Sequence, residues 1–209
     1  MLRGQYGQAL QSLDAARAEG MSEAAREMLR GVARLLAGSP SEAIPHFELA
    51  LDLDPALLEA RFNRGVARLA IQQYIFASAD FTAVFESPAP RLRGPAALHN
   101  AIAFDRLGRL QDAQKWIARA READPNLDAA LLYAGYLHER RGELTLAGDA
   151  YRSYLQRNPA SPLAALRFAI TAQRAGFHDT ARKYFRSVIK SAPDSHEAIE
   201  ARKFLAMWE

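Results

Sequence analysis

One residue pattern recurs along this chain at an interval of 34, and it constrains the fold more than any other feature. An alanine is followed four residues later by an aromatic or large aliphatic residue, and the stretch then closes on an Asp-Pro, Asn-Pro or similar ending. The copies are Ala43, Phe47 and Asp54-Pro55; Ala77 and Phe81; Ala113, Ile117 and Asp124-Pro125; Ala147, Tyr151 and Asn158-Pro159; and Ala181, Phe185 and Ala192-Pro193. They define five units, 24–57, 58–91 (58–93 with its exit segment), 94–127, 128–161 and 162–195, with a two-residue slip after the second. A fixed period of roughly 20 to 50 residues is the signature of stacked supersecondary units, none of which buries its apolar face alone.

Within each unit the residue types follow from helix packing. Small residues such as Gly31, Ala43, Gly135 and Ala147 let two antiparallel helices approach, and the aromatic fills the space beside them. Gly38, Gly108, Gly142 and Gly176 fall between the two helical patterns, where a positive φ ends one helix and turns the chain. Ser39-Pro40-Ser41-Glu42 has the spacing of a capping box with proline at the first helical position, and Asp194-Ser195-His196-Glu197 repeats that logic before the last helix. The second unit departs most. Gln72 replaces the turn glycine, Ile75 and Phe76 stand where polar residues are usual, and the Pro-rich run 86–95 predicts a lengthened exit loop.

Those residues at that spacing resemble the tetratricopeptide repeat family, over about 24–195. The resemblance implies an all-α fold, a right-handed superhelical α-solenoid of helix-turn-helix repeats. Residues 4–16 match only the second helix of a repeat, so 1–23 reads as a half-repeat and the chain as beginning mid-unit, a fragment or trimmed domain of a longer protein. Residues 196–209 read as a capping helix whose Ala198, Leu205 and Trp208 face the array.

Composition narrows the function. Residues are 49% hydrophobic and 24% charged, and no cysteine is present, which excludes disulfides, thiolate metal sites and a cysteine nucleophile. The formal charge is only +3, with 27 cationic and 24 anionic side chains interspersed, which does not make a nucleic-acid footprint despite a pI near 9.3. The longest apolar stretch, 129–137, is too short to span a membrane, and the chain reads as a cytoplasmic protein. The histidines at 46, 99, 138, 178 and 196 include no i,i+3 or i,i+4 pair for a metal, and no nucleotide or nucleophile-elbow motif is present. The expectation is a protein that is not an enzyme and takes no cofactor or metal.

The family geometry implies a concave groove lined by the first helix of each repeat. By offset from the small residue at each helix centre, the partner-binding candidates are Met28 and Val32 in the first unit, and Phe62, Asn63 and Val66 in the second. The third supplies His99, Ile102 and Arg106, the fourth Leu132, Tyr133, Tyr136 and Arg140, and the fifth Arg167, Ile170 and Arg174. One subgroup of the family clamps the C-terminal carboxylate of chaperone tails with lysines and asparagines. Only Asn63 matches that set, while Met28, Val32, Pro95 and His99 occupy other clamp positions, so such tails are not the expected ligand. An apolar or amphipathic segment of another protein fits the stripe better. Arg61, Arg64 and Arg68 share one helix face, either pairing with Glu48, Asp52 or Asp80 or receiving an acidic segment. Ile75 and Phe76 form a secondary patch, for a partner or for self-association, or fold under the Pro-rich run. The leading expectation is a protein–protein interaction scaffold. The alternative is an oligomerisation or regulatory arm of a larger enzyme or of a secretion or motility assembly.

Overall fold

The computed structural model describes residues 20–208, and among them every regular element is an α-helix. The chain divides between Ala123 and Asp124 into two compact units. The first contains α1 (Glu23–Leu36), α2 (Pro40–Leu53), α3 (Leu58–Ala70), α4 (Tyr74–Glu86), α5 (Pro90–Arg106) and α6 (Leu110–Ala123). The second contains α7 (Asp128–Arg140), α8 (Leu144–Arg157), α9 (Pro162–Arg174), α10 (His178–Ser191) and α11 (His196–Ala206). Within each unit every helix packs on the next, and the first helices of adjoining hairpins also touch, α1 on α3 and α3 on α5. The half-repeat expected over 1–23 falls almost wholly outside the described residues.

Two local devices build each hairpin. At the turn, residues 38, 72, 108, 142 and 176 all adopt a left-handed backbone, φ between 64° and 84°. The Gly38 N–H donates to the Leu35 carbonyl and the Ser39 N–H reaches back to Arg34, and the same pair of bonds recurs at Gly142 and Glu143, satisfying carbonyls that the helix end would leave bare. In the second repeat Gln72 takes this conformation without being glycine, at φ 64°. Between the helices, the small residue of the first faces the aromatic of the second. A Cβ at Gly31 would lie 2.6 Å from the Phe47 ring, at Gly65 2.7 Å from Phe81, and at Gly135 2.6 Å from Tyr151, all closer than atoms pack. These three rings are fully buried, so the glycine is what lets each pair of helices close.

Two expectations are corrected. Residues 86–95 do not form a long exit loop: the linker is only 87–89, and α5 runs 17 residues from Pro90, which sits at its first position with Pro95 inside the helix. Proline costs little at the first helical position, where its missing N–H has no partner in any case, as at Pro90, whereas Pro95 at the sixth position gives up one backbone bond of the helix. At α2 the capping box does not form. The Ser39 side chain makes no cap bond, and Glu42 pairs with Arg34 at 3.0 Å. At α11 the cap is Ser195, one residue later than the box spacing suggests, its Oγ accepting from the Ala198 N–H at 3.1 Å. Phe204 of α11 stacks on Phe185 with ring centroids 5.1 Å apart and Trp208 lies 5.8 Å from the same ring, so the terminal helix covers the end of the second unit.

Candidate functional site

In the first unit the candidates on α1, α3 and α5 are mostly half-buried. Met28 and Val32 pack against the core around Ala43, Phe47 and Ala50. Phe62 sits edge-on to Phe81 at 5.6 Å and to His99 at 5.1 Å, and His99 in turn lies 5.4 Å from Phe81. The His99 Nδ1–H donates to the Pro95 carbonyl at 2.9 Å. Burial among these rings pushes the imidazole below its usual pKa, only partly opposed by that bond. Phe62 and His99 therefore support the fold as well as the face. Asn63, Val66 and Ile102 are half-buried beside them, and Arg106 is exposed.

The three arginines of α3 are engaged internally. Arg64 donates to both oxygens of buried Asp80, at 3.1 and 2.7 Å, and Arg68 bridges Asp80 at 2.9 Å and Glu48 at 3.0 Å. Arg61 donates to the Pro55 carbonyl. The Arg64 and Arg68 pairs tie α2, α3 and α4 together and take up the charge of those two arginines internally. Ile75 and Phe76 are 70% and 60% exposed, with the Arg68 guanidinium 5.7 Å from the Phe76 ring centre. They do not fold under the Pro-rich run.

The second unit gathers its candidates into one cluster. Tyr133 and Tyr136 of α7 lie 5.4 Å apart, and the Tyr136 ring is flanked by the guanidiniums of Arg140 at 5.9 Å and Arg167 at 6.0 Å. Arg174, two turns beyond Arg167 on α9, donates to Glu139 Oε1 at 3.4 Å, and Arg167 lies 3.8 Å from the same oxygen. Leu132 and Ile170 are half-buried floor residues packed on the adjacent cores. Arg106, Arg140 and Arg174 occupy the same register position of three successive repeats.

Glu139, which falls by register on the same first-helix stripe, and Tyr151, which reads in the sequence only as the aromatic of the hairpin, organise this cluster. The Tyr151 hydroxyl donates to Glu139 Oε2 at 2.9 Å. Burial first, then the Glu139 charge, raises the phenol above its usual range, so it stays protonated and remains a donor. The signal in the sequence is a single atom. The aromatic position of the repeat reads Phe47, Phe81, Ile117, Tyr151 and Phe185, and only Tyr151 carries a hydroxyl. Among the described residues no group of carboxylates and histidines is placed to hold a metal ion, and no helix is long and apolar enough to cross a membrane.

Tetratricopeptide repeat family models match residues 3–57 and 98–162, and a second model of the same description matches 163–195. Cellulose synthase operon protein C of Xanthomonas axonopodis pv. citri (strain 306) is 27% identical over 96% of this chain, which spans 12% of that protein's length. Among solved structures, PilW, described as a widely conserved type IV pilus biogenesis factor, is similar at a TM-score of 0.85 and 21% identity, over 97% of this chain and 92% of its own. The pilF protein of Pseudomonas aeruginosa follows at 0.81 and 19%, over 98% and 91%. YrrB, described as a TPR protein with an unusual peptide-binding site, is similar at 0.66 and 18%, over 93% and 99%. At these identities the structural likeness shows the fold.

Proposed function

The chain belongs to the tetratricopeptide repeat family, and from that premise we propose that it is a non-catalytic interaction scaffold that holds a segment of a partner protein against the first-helix faces of its repeats. The observation that carries this reading is the Tyr133–Tyr136 pair. Neither ring belongs to the glycine–aromatic contact that closes the hairpin, and the corresponding positions in the other repeats hold Leu29, Asn63, His99 and Arg167, or Val32, Val66, Ile102 and Ile170. Large half-buried tyrosines at positions that the hairpin leaves free to vary are the residue type that anchors protein contacts, offering apolar area and a polar edge with few rotors to freeze. The peptide-binding site named for YrrB supports the same use of the fold here.

A capture experiment tests the reading. The intact chain and a Tyr133→Ala/Tyr136→Ala variant of matched helicity are used as bait. A partner held by the first and lost by the second is the expected result, and a partner held equally by both places binding elsewhere.

A further inference from the structure

Two arginines of the second unit share one carboxylate. Arg167 and Arg174, on the same side of α9, both approach Glu139 Oε1, and Tyr151 already occupies Oε2. Each guanidinium presents a planar fork of donors matched to a whole carboxylate, and here the two have a single oxygen between them. Arg174 makes a single bond at 3.4 Å, and Arg167, at 3.8 Å, is held by charge alone. Both side chains remain substantially open to solvent, at 41% and 48% exposure, while Glu139 beneath them is buried. The nearby Glu143 is taken up by His138 and Arg141. Positive charge is therefore in excess where the face is accessible, directly beside the tyrosine pair.

We propose that this cluster is a receptor for an acidic segment of a partner protein, in which two Asp or Glu side chains dock on the outward donors of Arg167 and Arg174 while an adjacent apolar or aromatic residue lies on Tyr133 and Tyr136. The inference rests on the scaffold reading and adds the chemistry of the partner. Two forks call for two carboxylates, which an internal acidic segment supplies and a lone chain terminus does not. Because the guanidiniums converge on one oxygen, the carboxylates must be close together, as they are at i and i+3 or i+4 of a helix, where Cβ atoms are about 5–6 Å apart. Glu139 acts as a positioning residue: held by Tyr151 on one side, it draws both arginines to the same place. The Tyr151 hydroxyl thus links the packing of the hairpin to the face that binds.

The test selects phage-displayed random dodecapeptides on the immobilised intact chain and on an Arg167→Gln/Arg174→Gln variant, then measures selected peptides by fluorescence anisotropy. The expected result is enrichment of sequences with two or more acidic residues next to an aromatic or apolar one, on the intact chain only. Replacing both acids of a selected peptide by glutamine should weaken binding by about tenfold or more, and raising salt should weaken the acidic peptide but not its glutamine counterpart. The peptide-side substitution needs no altered protein, so it decides the matter even if the double variant fails to fold. Selection of neutral or basic sequences, or equal affinity for the acidic and glutamine peptides, would overturn this inference and leave the scaffold reading standing. Enrichment of no sequence at all would count against both.

Discussion

At the scale of single residues, the contact between a glycine and a ring is where sequence, packing and stability meet. Helix propensity alone predicts that Gly65→Ala gains about 1 kcal/mol. The new Cβ would stand 2.7 Å from a fully buried Phe81 ring, which would have to shift, and overpacking of that kind costs about 1–3 kcal/mol. The steric term wins, so Gly65→Ala should lower stability in urea unfolding. A gain near the propensity value would show that the helices can separate at no cost. Alanine is native at the matching positions Ala101 and Ala169, opposite Ile117 and Phe185, so the prediction belongs to the glycine-containing hairpins. His99 carries a second prediction at this scale. Its pKa is held below the usual value of 6.5 in the folded chain, so the unfolded chain binds the proton more readily. Stability should therefore fall as pH drops from about 6.5 toward the folded pKa, and level off beneath it. The difference between the unfolding curves of the native chain and a His99→Phe variant isolates this group from the other histidines. A difference that does not change with pH in that window would contradict the packing described for His99.

At the scale of elements, the turn between paired helices is the same object five times, and its exception is informative. A left-handed conformation costs a side-chain-bearing residue about 1–2 kcal/mol, while glycine there gives back about 0.5–1 kcal/mol in chain entropy. Gln72→Gly should stabilise the second hairpin by up to about 1 kcal/mol in the same unfolding assay, and no change would mean that Gln72 makes a compensating contact. The turn glycines and the small–aromatic pairs were legible in the sequence because each is a steric requirement repeated at fixed spacing. The start of α5 was not legible. Prolines at 88, 90 and 95 read as loop by residue type, but what decides is their position relative to a helix start, and only the fold fixes that. Similarly, Glu42 had the right spacing for a capping box and found a guanidinium instead. Tyr133, Tyr136, Arg167 and Arg174 could be assigned to one face by offset alone. Glu139 falls on that face by the same offset, but its role was not legible there, because it depends on a hydroxyl twelve residues away and on two arginines of the following repeat.

At the scale of the whole molecule, a nearly balanced charge and a repeated architecture leave specificity to the residues that differ between repeats. The hairpin residues recur because packing requires them. The varying positions fall into internal networks, such as Arg64 and Arg68 on Asp80, and open faces, such as the tyrosine and arginine cluster of the second unit. The chain spans 12% of the length of the cellulose synthase operon protein C that it resembles, so comparison with that protein concerns a stretch of repeats and not a complete activity. The first-helix face that carries the tyrosine pair is the proposed seat of the partner. The most direct test of that placement is the affinity of a captured partner for three purified chains: native, Tyr133→Phe/Tyr136→Phe and Tyr133→Ala/Tyr136→Ala, with unfolding midpoints recorded for each. The phenylalanine variant should bind nearly as the native chain does, and the alanine variant should lose about tenfold or more, as befits two aromatic anchors. Unchanged affinity in a folded alanine variant would contradict that placement.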